Sequence, residues 1–105
     1  MALLYRGVPE HTQRGIEAKQ GMVRPRGDSK DYEAHVRGED VDADVTSWTR
    51  SSKVAAKFGN IILTVEEETI RDQIVDNPLS NRYPNEQEVL IRGNLDGLTW
   101  TYSKK

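Results

Sequence analysis

Apolar residues recur along this chain in short runs separated by polar, glycine- and proline-bearing stretches. The clearest run, Asn60-Ile61-Ile62-Leu63-Thr64-Val65, is almost continuously apolar, and it predicts a buried strand over 60–65. Near the start, Ala2-Leu3-Leu4-Tyr5-Arg6 is bounded by Gly7 and Pro9 and predicts a first strand over 2–6. Alternation puts Leu3 and Tyr5 on one of its faces, Leu4 and Arg6 on the other. Residues 86–93, Glu-Gln-Glu-Val-Leu-Ile-Arg-Gly, alternate regularly. On such a strand Glu86 and Glu88 point the same way, about 7 Å apart. A tight turn at 94–97 then leads into a last β-prone strand at 98–102, Leu-Thr-Trp-Thr-Tyr.

Helical periodicity is weaker. Residues 10–20 read as a helix entered through Pro9, with Glu10 suited to the dipole at its start and Gly21 as its stop. Residues 66–75 read as a helical or turn segment, with Ile70, Ile74 and Val75 at helical spacing before Asp76-Asn77-Pro78 ends it. The central stretch 44–59 starts extended at Val45 and Trp48, then turns through Thr49, Ser51 and Ser52, whose hydroxyls can cap a short helix. Val54, Ala55 and Phe58 share one face of that helix, and Gly59 stands where a left-handed cap would close it. Residues 28–44 read as a charged loop with a brief helix near 31–36, and 79–85 as a polar loop carrying Tyr83. Several short strands with two or three helices predict an α+β fold in a single domain over 1–105.

Composition narrows the function classes. A chain of 105 residues with 35 % hydrophobic and 30 % charged residues supports one modest core under a large polar surface. A net charge of −2 gives no sequence-wide attraction to nucleic acid or anionic membrane. No apolar run approaches the ~20 residues of a membrane-spanning helix, and no signal-peptide pattern opens the chain, so no membrane partner is expected. The absence of cysteine excludes disulfides and thiolate metal sites. Asp40, Asp42 and Asp44 share the opening spacing of a calcium loop, but Val45 replaces its turn glycine and Ser51 its closing glutamate, so no metal is expected. Arg24 and Arg26 can meet phosphate, although two solvated arginines are the commoner case.

Candidate chemistry lies in three places. Arg6 ends a strand before a glycine, where backbone and ligand approach closely; the bland alternative is an edge-strand arginine reaching into water. Thr46-Ser47-Trp48-Thr49 supplies hydroxyls at a strand-to-helix corner. Glu86 and Glu88 stand at a loop-to-strand junction, where functional residues concentrate, although charged edge strands also guard against aggregation. Two carboxylates so close raise one pKa unless a cation or hydroxyl compensates, and Arg6 and the Ser47–Thr49 corner offer both.

Leu4-Tyr5-Arg6-Gly7, Thr46-Ser47-Trp48-Thr49 followed by Ala55-Ala56-Lys57-Phe58, and Glu86-Gln87-Glu88-Val89-Leu90, in that order, resemble the mono-ADP-ribosyltransferases. The likeness is to their arginine–serine–glutamate group, to which many bacterial toxins belong. It implies a small split β-sheet fold with short helices around a cleft that binds NAD as co-substrate without a Rossmann motif. The chain indeed has no Gly-x-Gly-x-x-Gly pattern. By position, the resemblance implies that Arg6, with Gly7 beside it, holds the NAD phosphates and ribose. Ser47 would orient the catalytic Glu88, with Thr49 supporting the same corner, and Glu88 would contact the nicotinamide ribose. Glu86 would act on the acceptor and Tyr83 would recognise it. Only Gly59-Asn60 separates Phe58 from the next strand, so the nicotinamide-side loop of larger members is nearly absent, and Trp48 or Phe58 is left to stack the ring.

The resemblance further implies the C-terminal effector domain of a polymorphic interbacterial toxin, secreted or injected to act in the cytoplasm of a target cell. A cognate immunity protein would then protect the producer. A glutamate at position 86 accompanies arginine acceptors in this family, so a protein arginine is the first expectation and structured RNA the second. NAD hydrolysis with water as acceptor is a further enzymatic alternative, and a non-catalytic interaction domain is the reading from another class.

Overall fold

The computed structural model describes residues 2–25, 44–75 and 88–103. Its elements are β1 (Leu3–Val8), α1 (Gln13–Lys19), β2 (Val45–Thr49), α2 (Ser52–Ala56), β3 (Ile61–Glu66), a 3-10 helix (Glu67–Gln73), β4 (Ile74–Val75), β5 (Glu88–Arg92) and β6 (Thr99–Tyr102). The strands form one six-stranded sheet in the order β4-β5-β2-β1-β3-β6, with every neighbouring pair antiparallel. The α+β expectation therefore holds.

Register assigns each side chain to a face, because residues opposite each other on neighbouring strands point the same way. One face carries Leu4 and Val8, Ile61, Leu63 and Val65, Trp48, and Val89 and Ile91. Ala18 of α1, Val23, Ile70 and Leu95 pack over it to complete the main core. The other face carries Leu3, Tyr5 and Gly7, with Thr64, Thr49, Ser47 and Glu88 in register beside them. At one end of this second face Val45, Leu90 and Val75 form a smaller cluster. Helix α2 lies against it at Gly7, where an added Cβ would come 1.8 Å from the Ala55 carbonyl oxygen.

The sheet is unevenly joined. β1 pairs with β3 along its whole length, from Leu3–Glu66 to Val8–Ile61, and β2 pairs with β5 from Val45–Arg92 to Thr49–Glu88. Between β1 and β2 the register holds at Tyr5–Thr49 alone. A seam thus divides β4-β5-β2 from β1-β3-β6.

Several boundaries differ from the sequence reading for identifiable reasons. Helix α1 begins at Gln13 because Thr12 is its cap, its hydroxyl accepting from the Gly15 amide at 3.1 Å. The Glu10 amide is held instead by the Asn60 side chain at 3.0 Å. The helix does end at Gly21, whose φ of 74° allows the Met22 amide to reach the Glu17 carbonyl and its own amide to reach that of Ala18.

Gly59 is not a left-handed cap; among the described glycines only Gly21, Gly93 and Gly97 have positive φ. Its lack of a side chain is required by packing, since a Cβ there would lie 2.0 Å from the Val8 carbonyl carbon. Ile74 and Val75 leave the helical spacing and pair with Ile91 and Leu90. Leu95 does not belong to a simple turn: it is buried and exchanges both backbone hydrogen bonds with Val23, at 2.8 and 3.0 Å. The predicted loops at 28–43 and 79–85 lie outside the described residues.

Candidate active site

The three sequence motifs fall on three consecutive strands of the sheet. Arg6 is on β1, Ser47 and Thr49 are on β2, and Glu88 opens β5, with β2 in the middle. Thr49 is the hinge of this arrangement. It stands opposite Tyr5 across the seam and opposite Glu88 on its other side. Ser47 pairs with Leu90, which makes it the diagonal neighbour of Glu88. Diagonal Cα atoms lie about 7–8 Å apart, a span that a glutamate side chain can cover toward a serine hydroxyl.

Arg6 reaches this region by another route. Its side chain leaves β1 on the face of Leu4 and Val8, opposite to that of Ser47, Thr49 and Glu88. Its guanidinium nevertheless arrives at β2, where Nη1 donates to the Ser47 carbonyl oxygen at 3.0 Å. That bond crosses the seam just beyond the Tyr5–Thr49 pair, where ladder pairing between β1 and β2 stops. The half-buried guanidinium thereby sets a positive charge at the seam between the two halves of the sheet.

The hydroxyl corner is ordered by its own hydrogen bonds. Thr49 is buried, and its Oγ1 accepts from the Ser51 amide at 3.1 Å. The Ser51 hydroxyl accepts from the Val54 amide at 3.3 Å and starts α2. Arg50, between them, pairs with Glu67 at 2.6 Å and ties the corner to the 3-10 helix. The strand end that carries Thr49 is thus held from both sides.

The aromatic candidates separate. Trp48 sits in the main core with 2 % of its surface exposed, and its indole N–H donates to the Thr46 hydroxyl at 2.9 Å. It points away from the face of Thr49 and Glu88 and presents no ring to a ligand. Phe58 lies past the end of α2 and is 58 % exposed, so it does not share the packed face of Val54 and Ala55 as its spacing implied. Gly7 is where α2 meets β1. Glu86 and Tyr83 lie outside the described residues.

A second ionic centre, which the sequence did not single out, lies elsewhere. The Glu10 carboxylate accepts from the Lys19 ammonium, from the Tyr102 hydroxyl at 2.8 Å and from the Asn60 amide at 3.2 Å. The Lys19 ammonium also lies 5.8 Å from the centroid of the Tyr102 ring. Hydrogen bonds from Lys19, then Tyr102 and Asn60, hold the Glu10 carboxyl at about 2. The same carboxylate raises the Lys19 ammonium. This cluster ties the entry to α1 to the last strand and uses its donors on one another, which is a structural role.

No family model matches the chain, and no significant match exists to a curated protein or a solved structure.

Proposed function

We propose that the chain is an NAD-dependent mono-ADP-ribosyltransferase with a split-sheet fold of that kind, acting as a toxin domain on a macromolecule in a competitor cell. The observation that carries this reading is that Arg6, Ser47–Thr49 and Glu88, far apart in sequence, stand on three adjacent strands, with the Arg6 guanidinium reaching β2 across the seam. The seam fits such a co-substrate in kind: it offers a guanidinium for a diphosphate and a carboxylate within reach of hydroxyl-bearing neighbours.

In this reading Arg6 holds the diphosphate and ribose from β1, beside Gly7. Breaking the nicotinamide–ribose bond leaves positive charge on the sugar, as in glycoside hydrolysis through an oxocarbenium-like state. Ionised Glu88 stabilises that charge as it develops, which lowers the barrier because the interaction is stronger in the transition state than in the bound substrate. Ser47 and Thr49 fix the carboxylate, and a displacement of about an ångström at such a group can cost about 100-fold in rate. Glu86 then steers or deprotonates the incoming acceptor, with Tyr83 recognising it. A protein arginine is the acceptor of choice.

Purified protein incubated with labelled NAD and a bacterial lysate, with and without ribonuclease, tests the proposal. A labelled protein band that vanishes with Glu88→Gln supports it. A ribonuclease-sensitive label moves the acceptor to RNA, release of ADP-ribose alone makes the enzyme a glycohydrolase, and intact NAD favours a binding domain. A cognate immunity protein follows from the toxin reading.

A further inference from the structure

The seam is bridged a second time, by a pair that the sequence did not single out. Antiparallel register through Tyr5–Thr49 leaves Ser47 on one side of that pair and Arg50 on the other. Arg6 crosses on the Ser47 side, donating to the Ser47 carbonyl oxygen. On the opposite side Arg50, the residue after β2, donates from Nη2 to the Glu67 carboxylate at 2.6 Å. Glu67 belongs to the other half of the sheet. It follows β3, and its amide donates to the Ala2 carbonyl oxygen at 2.9 Å, beside the start of β1. Because β1 lies between β2 and β3, the Arg50–Glu67 bond spans its first residues and ties the two halves together.

The two bridges differ in their duties. Arg6 is also the group assigned to a diphosphate, which draws its donors toward phosphate oxygens. Arg50 and Glu67 use their charges on each other, on the far side of Thr49. Their side chains are 50 % and 20 % exposed, and a surface pair of this kind shifts an equilibrium only a few-fold. That is enough to matter here, because a single ladder pair joins β1 to β2. Arg6 and Glu88 stand on opposite halves, so closure of the seam sets the distance between them.

We propose that the Arg50–Glu67 pair is a positioning clamp, which keeps the Glu88 half of the sheet closed on the Arg6 half while Arg6 engages the diphosphate of NAD. The inference rests on the ADP-ribosyltransferase reading and adds two residues that act through Arg6 and Glu88 without touching the co-substrate. Loosening the clamp leaves the diphosphate on Arg6 and draws Glu88 away from the ribose. The loss therefore falls on kcat and spares KM, because the misplaced group is one that acts in the transition state.

Steady-state NAD consumption is measured for the parent, Arg50→Ala, Glu67→Ala, the double variant and the charge-swapped Arg50→Glu/Glu67→Arg protein, with thermal melts confirming that each is folded. Each single variant is expected to lower kcat about three- to tenfold and to keep KM within about twofold. The double variant should fall no further than the weaker single, and the swapped pair should recover most of the loss. Amide hydrogen exchange beside the Tyr5–Thr49 pair should quicken in both single variants, a readout of seam closure that needs no turnover. Where an alanine variant does not fold, Arg50→Gln or Glu67→Gln removes the charge and keeps a side chain of similar length. Unchanged kcat in folded single variants, or single losses that multiply in the double, overturns the clamp alone. A parent protein that does not consume NAD overturns the reading of the site, and the clamp with it.

Discussion

Arg6 donates across the seam of the sheet to the main-chain carbonyl of Ser47, at 3.0 Å, just beyond the point where ladder pairing between their strands ends. One charged side chain there replaces the backbone hydrogen bonds that a continuous sheet would have. Hydrogen bonds to charged groups contribute about 1.5–3 kcal/mol. Arg6→Ala is therefore expected to lower the unfolding free energy by about that amount and to abolish NAD binding. Arg6→Lys keeps the charge but not the planar fork, and it should recover part of the stability and little of the affinity. Urea denaturation and NAD titration of the three proteins measure both effects. An arginine that merely reaches into solvent would leave the denaturation midpoint unmoved.

Glu88 opens β5 opposite Thr49, and its proposed task is electrostatic. Glu88→Gln preserves shape while removing the charge. It is expected to reduce NAD consumption at least about 100-fold with a melting temperature close to that of the parent. Equal turnover by the two proteins would remove the carboxylate from the mechanism.

The approach of α2 to β1 depends on one missing side chain. A Cβ on Gly7 would lie 1.8 Å from the Ala55 oxygen, a main-chain atom that cannot swing away. Gly7→Ala must push α2 off the sheet, with a cost expected above about 3 kcal/mol. Gly97 is the control. A Cβ there meets nothing within 4 Å, so Gly97→Ala bears only the left-handed φ of 67°, about 1–2 kcal/mol. Chemical denaturation of both variants compares a steric penalty with a conformational one.

Strand positions were legible because apolar runs and alternation report burial directly: Ile61–Glu66 is the clearest case. Partner order was not. Nothing local in Leu3–Val8 says that it lies between β2 and β3, because pairing is decided by contacts distant in sequence. The candidate site was legible as residue types, and its arrangement on the sheet was not. β2 is covered on both sides, Val45 buried on one face and Trp48 on the other, so alternation along it does not reveal which face meets a ligand.

Trp48 gives that distinction a measurable form. Trp48→Leu removes a buried aromatic ring and the donor to Thr46, and it is expected to destabilise the fold by about 1–3 kcal/mol without changing nicotinamide affinity. Thermal melts and nicotinamide titration on one sample separate the outcomes. Weaker nicotinamide binding at unchanged stability would return Trp48 to the site.

The Glu10 cluster makes stability depend on pH with a definite sign. Its carboxyl is held at about 2, below the 4.5 of an unconstrained glutamate, by Lys19 first and then by Tyr102 and Asn60. A carboxyl depressed in the folded state stabilises it fully above the unfolded value, and that contribution is lost as pH falls from about 4.5 toward 2. Lys19 is raised by the same partner, so its contribution is complete below 10.5 and fades as pH rises beyond it. Other carboxylates titrate in the acid window, so the test is a difference between two proteins. The melting-temperature gap between the parent and Glu10→Gln should be widest near neutral pH and close as pH falls through 4.5 toward 2. Added salt should narrow it at neutral pH, because the Lys19–Glu10 pair lies at the surface. A gap that is constant between pH 7 and pH 2 would mean that the Glu10 carboxylate contributes shape and not charge.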